Sequence, residues 1–254
     1  MPAFTRSQIA ERTWAIEGVG CYAYLLVGGE RAMMVDTGMS KLDLRAYVRA
    51  LTHLPVFVVN THGHFDHTGG NGWFDLCYMH PEAVKDAKTP FGDPGPYRFD
   101  YSIETVREGH VFDLGGRTIE VIEIPAHNPG SIALLDRTRR LLFTGDELEA
   151  GQVLLLWPDA RCTVEGHLCN MKKLQRRSGE YDLICPGHNG TPIDKSFVDA
   201  FAENDQRVLD GILGTTNIYS PTFRWGLPEA ELVHKRRSEH RGSAIVYDIR
   251  QIKA

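Results

Sequence analysis

The run Val58-Val59-Asn60-Thr61-His62-Gly63-His64-Phe65-Asp66-His67-Thr68-Gly69-Gly70 limits what this chain can become more than any other stretch. Val56 to Val59 is an apolar, largely β-branched segment that reads as a buried strand. Three histidines and an aspartate then follow within six residues. Imidazole and carboxylate are ordinary ligands of zinc and similar metals, so the loop reads as a metal cradle at a strand end. Four such groups converge only on a sharply folded backbone, and Gly63, Gly69 and Gly70 are expected to supply that freedom. A lone histidine would read as a surface or core residue; the ordered set His-x-His-x-Asp-His reads as chemistry.

That order resembles the signature of the metallo-β-lactamase fold superfamily, whose pattern needs three further ligands, each past a strand end. His127 lies in Pro125-Ala126-His127-Asn128-Pro129-Gly130-Ser131, close to the family's Pro-Gly-His-Thr-Pro-Gly-Ser segment. Asp146 ends Leu142-Phe143-Thr144-Gly145-Asp146, and His188 lies in Cys185-Pro186-Gly187-His188-Asn189-Gly190. The resemblance runs from about Asp36 to Gly190 and implies an α/β fold, a four-layer αββα sandwich. It also implies two divalent metal ions, zinc first, with iron or manganese as alternatives. His62, His64 and His127 would hold one ion, Asp66, His67 and His188 the other, and Asp146 would bridge them. Three neutral imidazoles make the kind of site that lowers the pKa of zinc-bound water to about 7. A metal-bridging hydroxide would then be the nucleophile, oriented by Asp66, the expected catalytic residue.

Composition excludes several classes. A formal net charge of -5 gives no basic face for nucleic acid. No apolar run approaches the roughly 18 residues needed to span a membrane. Met1-Pro2-Ala3-Phe4-Thr5-Arg6 lacks an apolar signal core, and five cysteines without close pairing suit a reducing compartment, so a cytoplasmic protein is expected. Cys185 reads as a core residue rather than a ligand. The 254 residues are expected to form a single domain, with residues 195–254 adding a C-terminal helix and closing strand.

Along the chain, strands are predicted at Thr13–Glu17, Cys21–Val27, Ala32–Val35, Leu76–Met79, Val111–Leu114, Thr118–Ile124, Ser131–Leu135, Arg140–Phe143, Leu183–Cys185 and Ala244–Ile249. Helices are predicted over Lys41–Thr52, Thr163–Arg177 and Ser196–Gly214. Asp36 in Val35-Asp36-Thr37-Gly38 either supports the metal loop or caps a turn. His80 reads as a surface or packing residue, and His167 faces either substrate or solvent. Residues 89–101 are a structural loop pinned by aromatics or a wall and lid over the metals. Leu154 to Trp157 is core, substrate pocket or subunit contact, which leaves a homodimer open. Lys235-Arg236-Arg237 and Arg241 form a solvated basic face or an anionic-substrate contact.

The family's β-lactamases generally lack the bridging aspartate, which argues against antibiotic hydrolysis. Its flavodiiron reductases usually carry glutamate where this chain has His64. The retained ligand set is similar to those of glyoxalase II thioesterases, lactonases and phosphodiesterases. The expected activity is therefore metal-dependent hydrolysis of an ester-like bond, thioester or lactone, in a small molecule. The alternatives are a phosphodiesterase or a non-catalytic metal-containing ligand-binding protein of the same fold.

Overall fold

The computed structural model describes residues 4–18, 20–90, 97–219 and 228–253. A first sheet runs in sequence order through β1 (Thr5–Ala10), β2 (Thr13–Glu17), β3 (Ala23–Val27), β4 (Ala32–Val35), β5 (Val56–Val59), β6 (Leu76–Met79) and β7 (Ser102–Thr105). Pairing is antiparallel from β1 to β4 and parallel from β4 to β7. Helix α1 (Leu44–Arg49) makes the β4 to β5 crossover and α2 (Phe65–Thr68) is a single turn. The predicted helix over Lys41–Thr52 is shorter than expected. Asp43 caps it by accepting from the Ala46 N–H, and the Ser40 hydroxyl instead accepts from Leu42 N in a preceding turn.

The second sheet is built from β8 (Val111–Asp113), β9 (Thr118–Glu123), β10 (Ile132–Asp136) and β11 (Leu141–Gly145). The chain then forms β12 (Gln152–Leu155) and α3 (Val164–Arg176). It returns to the second sheet as β13 (Leu183–Pro186) and β14 (Ile193–Asp194), giving the order β14-β13-β11-β10-β9-β8. Helix α4 (Phe197–Leu209), the short α5 (Glu229–Leu232), β15 (Lys235–His240) and β16 (Ser243–Asp248) complete the chain. A third sheet, β12-β16-β15, joins β12 in parallel to the last strand. The predicted closing strand is thus one arm of a hairpin. The helix predicted to Gly214 stops at Leu209 because Gly211 turns to φ 94°.

Strands buried on both faces divide their side chains by the period of two. Tyr24 and Leu26 of β3 meet Val121 of β9, Leu134 of β10 and Phe143 of β11 between the two sheets. Ala23 and Leu25 turn outward to Leu44 and Val48 of α1. Ala133 and Leu135 of β10 face Leu168, Met171 and Leu174 of α3 and Phe201 of α4. Four layers result, αββα. Ile245 and Tyr247 of β16 join the same cluster as α3 and α4, so the C-terminal segment shares the second half's core.

Arg117, just before β9, clamps the two sheets. Its guanidinium donates to Asp136 Oδ2 (2.8 Å), Thr13 Oγ1 (2.8 Å) and the Arg12 carbonyl (3.0 Å), with both charged residues buried. Neither reading of the C-terminal basic cluster holds for Lys235 and Arg237. Lys235 is buried against Asp248 (2.5 Å), and Arg237 donates to Gln152 Oε1 (2.8 Å). Arg241 pairs with Glu203 at 2.6 Å. Among the described residues, no helix is long and apolar enough to cross a membrane.

Candidate metal centre

All seven residues singled out in the sequence meet at one end of the two-sheet core. Strand β5 delivers the loop with His62 and His64, and α2 carries Asp66 and His67. His127, Asp146 and His188 follow β9, β11 and β13. The three loop glycines do not serve in the way expected, since none has a positive φ. They provide room. A Cβ on Gly63 would lie 2.4 Å from the Ala83 carbonyl oxygen, and one on Gly70 would lie 2.5 Å from that of Thr37.

The side chains fall into two groups, His62 with His64 and His127, and Asp66 with His67, Asp146 and His188. Within each group the possible ligand atoms lie within 4.8 Å of one another. Asp146 stands between the groups: Oδ1 is 3.1 Å from His67 Nε2, and Oδ2 is 3.7 Å from His127 Nε2 and 3.5 Å from His188 Nε2. His188 Nε2 is also 3.2 Å from Asp66 Oδ2. His127 Nε2 and His64 Nδ1 approach to 3.0 Å. Among the described residues, His62 Nε2 is buried without a hydrogen-bond partner, and His67 Nε2 and Asp146 Oδ1, likewise buried, face each other at 3.1 Å without a well-aligned hydrogen bond. Orphaned donors and acceptors of this kind are costly, and their convergence fits divalent cations that a shared site would place between them.

Three of the five imidazoles are held from behind at Nδ1. His127 Nδ1 donates to the Leu154 carbonyl (2.9 Å), and His67 Nδ1 donates to Asp36 Oδ2 (2.8 Å). His62 Nδ1 lies 3.2 Å from Thr61 Oγ1, whose hydroxyl donates to Asp36 Oδ2 (2.8 Å). Such backing fixes the tautomer and turns Nε2 toward a metal. Asp36 therefore supports two candidate ligands of the loop, His67 directly and His62 through Thr61. Beneath it, Thr37, Asn60 and Asn71 form a buried network around the His67 carbonyl.

Electrostatics divides the groups as well. Burial and then the neighbouring His127 push the His64 imidazole down to about 3, and His62 is likewise driven well below the usual range by burial and His67. His188 is held up at about 9, because Asp146 and Asp66 outweigh the opposing effect of burial. Asp146 is driven well below the usual carboxylate range: burial opposes this, but His67 and His188 prevail. The carboxylates of the second group thus favour charged imidazole there, so a metal would have to compete with protons for those nitrogens.

Several supporting residues carry no motif. Glu147 is buried, and its Oε1 accepts from the backbone N–H groups of Ala126 (2.9 Å), His127 (2.7 Å) and Asn128 (3.3 Å). His167 faces neither substrate nor solvent. It is fully buried, with Nδ1 on Asp205 (2.7 Å) and Nε2 donating to the Glu147 carbonyl (2.9 Å). His80 packs, buried, 3.1 Å from Glu123 Oε1. Cys185 is core.

Above the ligands opens a cavity of about 730 Å³, lined by Asp66, Asp146, His188 and Glu149 on its polar side. Of the stretch Leu154 to Trp157, Leu154, Leu156 and Trp157 line the cavity while Leu155 enters the core. Thr89 lines it too, and the Tyr97 hydroxyl donates to the Met39 carbonyl (2.6 Å) with its ring 4.8 Å from that of Phe65. The middle of the expected lid, residues 91–96, lies outside the described residues.

The family model described as the Metallo-beta-lactamase superfamily matches residues 16–188. The acyl-coenzyme A thioesterase MBLAC2 of Gallus gallus is 29% identical over 198 residues, covering 65% of this chain and 71% of its own length. The hydroxyacylglutathione hydrolase of Anaeromyxobacter dehalogenans is 35% identical over 127 residues, 50% of this chain and 46% of that one. Among solved structures, the metallo-beta-lactamase from Pontibacter korlensis superposes with a TM-score of 0.63 at 18% identity. That superposition covers 80% of this chain and 99% of that one, a likeness of fold alone.

Proposed function

The chain belongs to the metallo-beta-lactamase superfamily, and from that premise we propose that this hydrolase cleaves the thioester bond of a small molecule at a centre of two divalent ions. The observation that carries the reading is the convergence of seven imidazole and carboxylate side chains in two groups, with His62 Nε2 buried and unpartnered, beneath a cavity of about 730 Å³. The thioester, rather than the lactone or phosphodiester, is favoured by relatives whose names denote acyl groups carried on a thiol.

In this reading His62, His64 and His127 hold the first ion, Asp66, His67 and His188 the second, and Asp146 lies between. Bound there, zinc or a similar ion would supply Lewis acidity for the acyl carbonyl and lower the pKa of water. The protein's own residues do the rest. Asp66 lines the cavity and in this reading orients the attacking water. His127 is tied to β12 through the Leu154 carbonyl, which orients its ring. The Glu147 carboxylate gathers three backbone N–H groups and so fixes the turn that carries His127.

Initial rates on a small thioester and on bis(p-nitrophenyl) phosphate, each with a chelator control, test this. Chelator-sensitive preference for the thioester that Asp66→Asn removes is expected. Preference for the phosphodiester would overturn the substrate class. Full activity of Asp66→Asn, or after complete metal removal, would overturn the mechanism.

A further inference from the structure

Strand β12 was opaque in the sequence, and its register gives it a function. Parallel pairing with β16 sets Gln152 opposite Ala244, Val153 opposite Ile245, Leu154 opposite Val246 and Leu155 opposite Tyr247. The period of two then sends Val153 and Leu155 into the core and turns Gln152 and Leu154, with Leu156 next in phase, toward the cavity. Trp157 and Pro158 continue this wall, and Met39 borders the cavity as well.

The wall is registered against the metal ligands rather than merely near them. Leu154 presents its side chain to the cavity while its carbonyl accepts from His127 Nδ1 at 2.9 Å. The Trp157 indole lies 5.4 Å from the His64 ring, centroid to centroid, at 38°. The Lys85 ammonium stands 5.8 Å from the centre of that indole, so an electron-rich face is engaged by a cation and the ring's position is reinforced. Leu154 and Leu156 are themselves braced by Ile218 and Val246. An apolar surface held at fixed distance from a catalytic centre sorts substrates by what lies beside the scissile bond.

We infer that the Leu154–Leu156–Trp157 wall is an acyl subsite that takes an aliphatic chain, with Leu156 and Trp157 setting the preference for chain length. This rests on the thioester reading above and narrows it: the substrate is an aliphatic acyl thioester rather than a short hydroxyacyl one. A hydroxyl beside Leu154 and Leu156 would exchange water for apolar contacts, with Gln152, two residues before Leu154 on the same face, a polar group that could meet it, whereas each methylene buried there gains transfer free energy.

The test is a homologous series of thioesters on one thiol (acetyl, butyryl, hexanoyl, octanoyl), with lactoyl beside them. The metal-loaded wild type, Leu156→Asn and Trp157→Ala are compared. In the wild type kcat/KM rises about fourfold per methylene until the wall is filled, the increment expected for a buried CH₂. Either substitution flattens that slope and narrows the gap between hexanoyl and lactoyl. Because Leu156 also packs against the third sheet, a second measurement stands apart from the variants' folding. Dissociation constants of butanoate, hexanoate and octanoate for the metal-free wild type, read by tryptophan fluorescence, fall by a similar factor per methylene. A flat thioester series, or lactoyl above hexanoyl, overturns the acyl subsite while leaving thioester hydrolysis standing. If no thioester is hydrolysed the thioester reading fails, and the carboxylate series decides the wall: a chain-length dependence supports it and a flat series overturns it.

Discussion

Asp36→Asn separates the support of the metal loop from the loop itself. Asp36 is buried at φ 56°, a conformation asparagine adopts more readily than most residues, so the backbone is spared. What changes is hydrogen bonding. Oδ1 accepts from Thr61 N (2.8 Å) and Asn60 Nδ2 (3.5 Å), and Oδ2 accepts from Thr61 Oγ1 (2.8 Å) and His67 Nδ1 (2.8 Å). All four neighbours present a donor, so an amide NH₂ placed at either position faces donors. If it replaces Oδ2, His67 escapes the clash by moving its proton to Nε2, the atom that should meet the metal. If it replaces Oδ1, the Thr61 backbone N–H is orphaned. An unsatisfied buried group costs about 1–3 kcal/mol, which sets the expected loss of stability in the metal-free protein. Removing a ligand's backing partner typically weakens metal binding about 10–100-fold, and the tautomer switch places this variant toward the upper end. Zinc affinity is measured by competition with a chromophoric chelator, and stability by urea unfolding of the metal-free protein. Zinc affinity within about threefold of wild type, alongside the expected stability loss, would refute the reasoning and leave Asp36 a residue of the fold alone.

Arg117→Met strands a buried Asp136 carboxylate and should cost about 3–5 kcal/mol in urea unfolding, much of it recovered when Asp136→Leu is added. His167 is pushed up to about 9 from 6.5, the Asp205 charge outweighing burial. A raised pKa contributes stability that is full below about 6.5 and is lost as pH rises through about 9. Unfolding free energy should therefore fall by about 3 kcal/mol more across that window in wild type than in His167→Gln. A methyl on Gly187 would lie 2.3 Å from Asp146 Oδ1 and 2.7 Å from His67 Cε1, so Gly187→Ala should displace the central carboxylate. Metal retained after dialysis, read by elemental analysis, should show affinity lowered roughly tenfold or more.

What was legible in the sequence is what is local. Strands β4, β5 and β6 are bounded as expected because each is an uninterrupted apolar run, fully buried in β4 and at least partly buried at every position of β5 and β6. The seven converging residues were legible because four lie within six positions and the others each close an apolar strand. Strands β1, β7 and β15 escaped for the opposite reason: Thr5–Ala10, Ser102–Thr105 and Lys235–His240 are polar edge strands whose side chains follow no apolar alternation. The glycines of the histidine loop were recognised for the wrong property, because backbone freedom can be guessed from one residue while room for a Cβ depends on Ala83 and Thr37. Glu147 and the His167–Asp205 pair were invisible because their partners lie 19 or more residues away, and single polar residues carry no spacing.

The same distinction separates chemistry from specificity. A metal centre of this kind is written in short segments, each attached to its own strand end. The wall opposite it depends on β12 meeting β16, about ninety residues later, in a parallel register. Shifting that register by one residue would turn Val153 and Leu155 to the cavity and bury Gln152 and Leu154, leaving every proposed ligand in place. Relatives can therefore keep the centre and exchange the wall. Replacing the β12 face should accordingly change which acyl group is cleaved while zinc affinity stays near wild type. A wall substitution that lowered zinc affinity as strongly as Asp36→Asn would show that the two are not separable, because the Leu154 carbonyl that holds His127 would then be the dominant link between them.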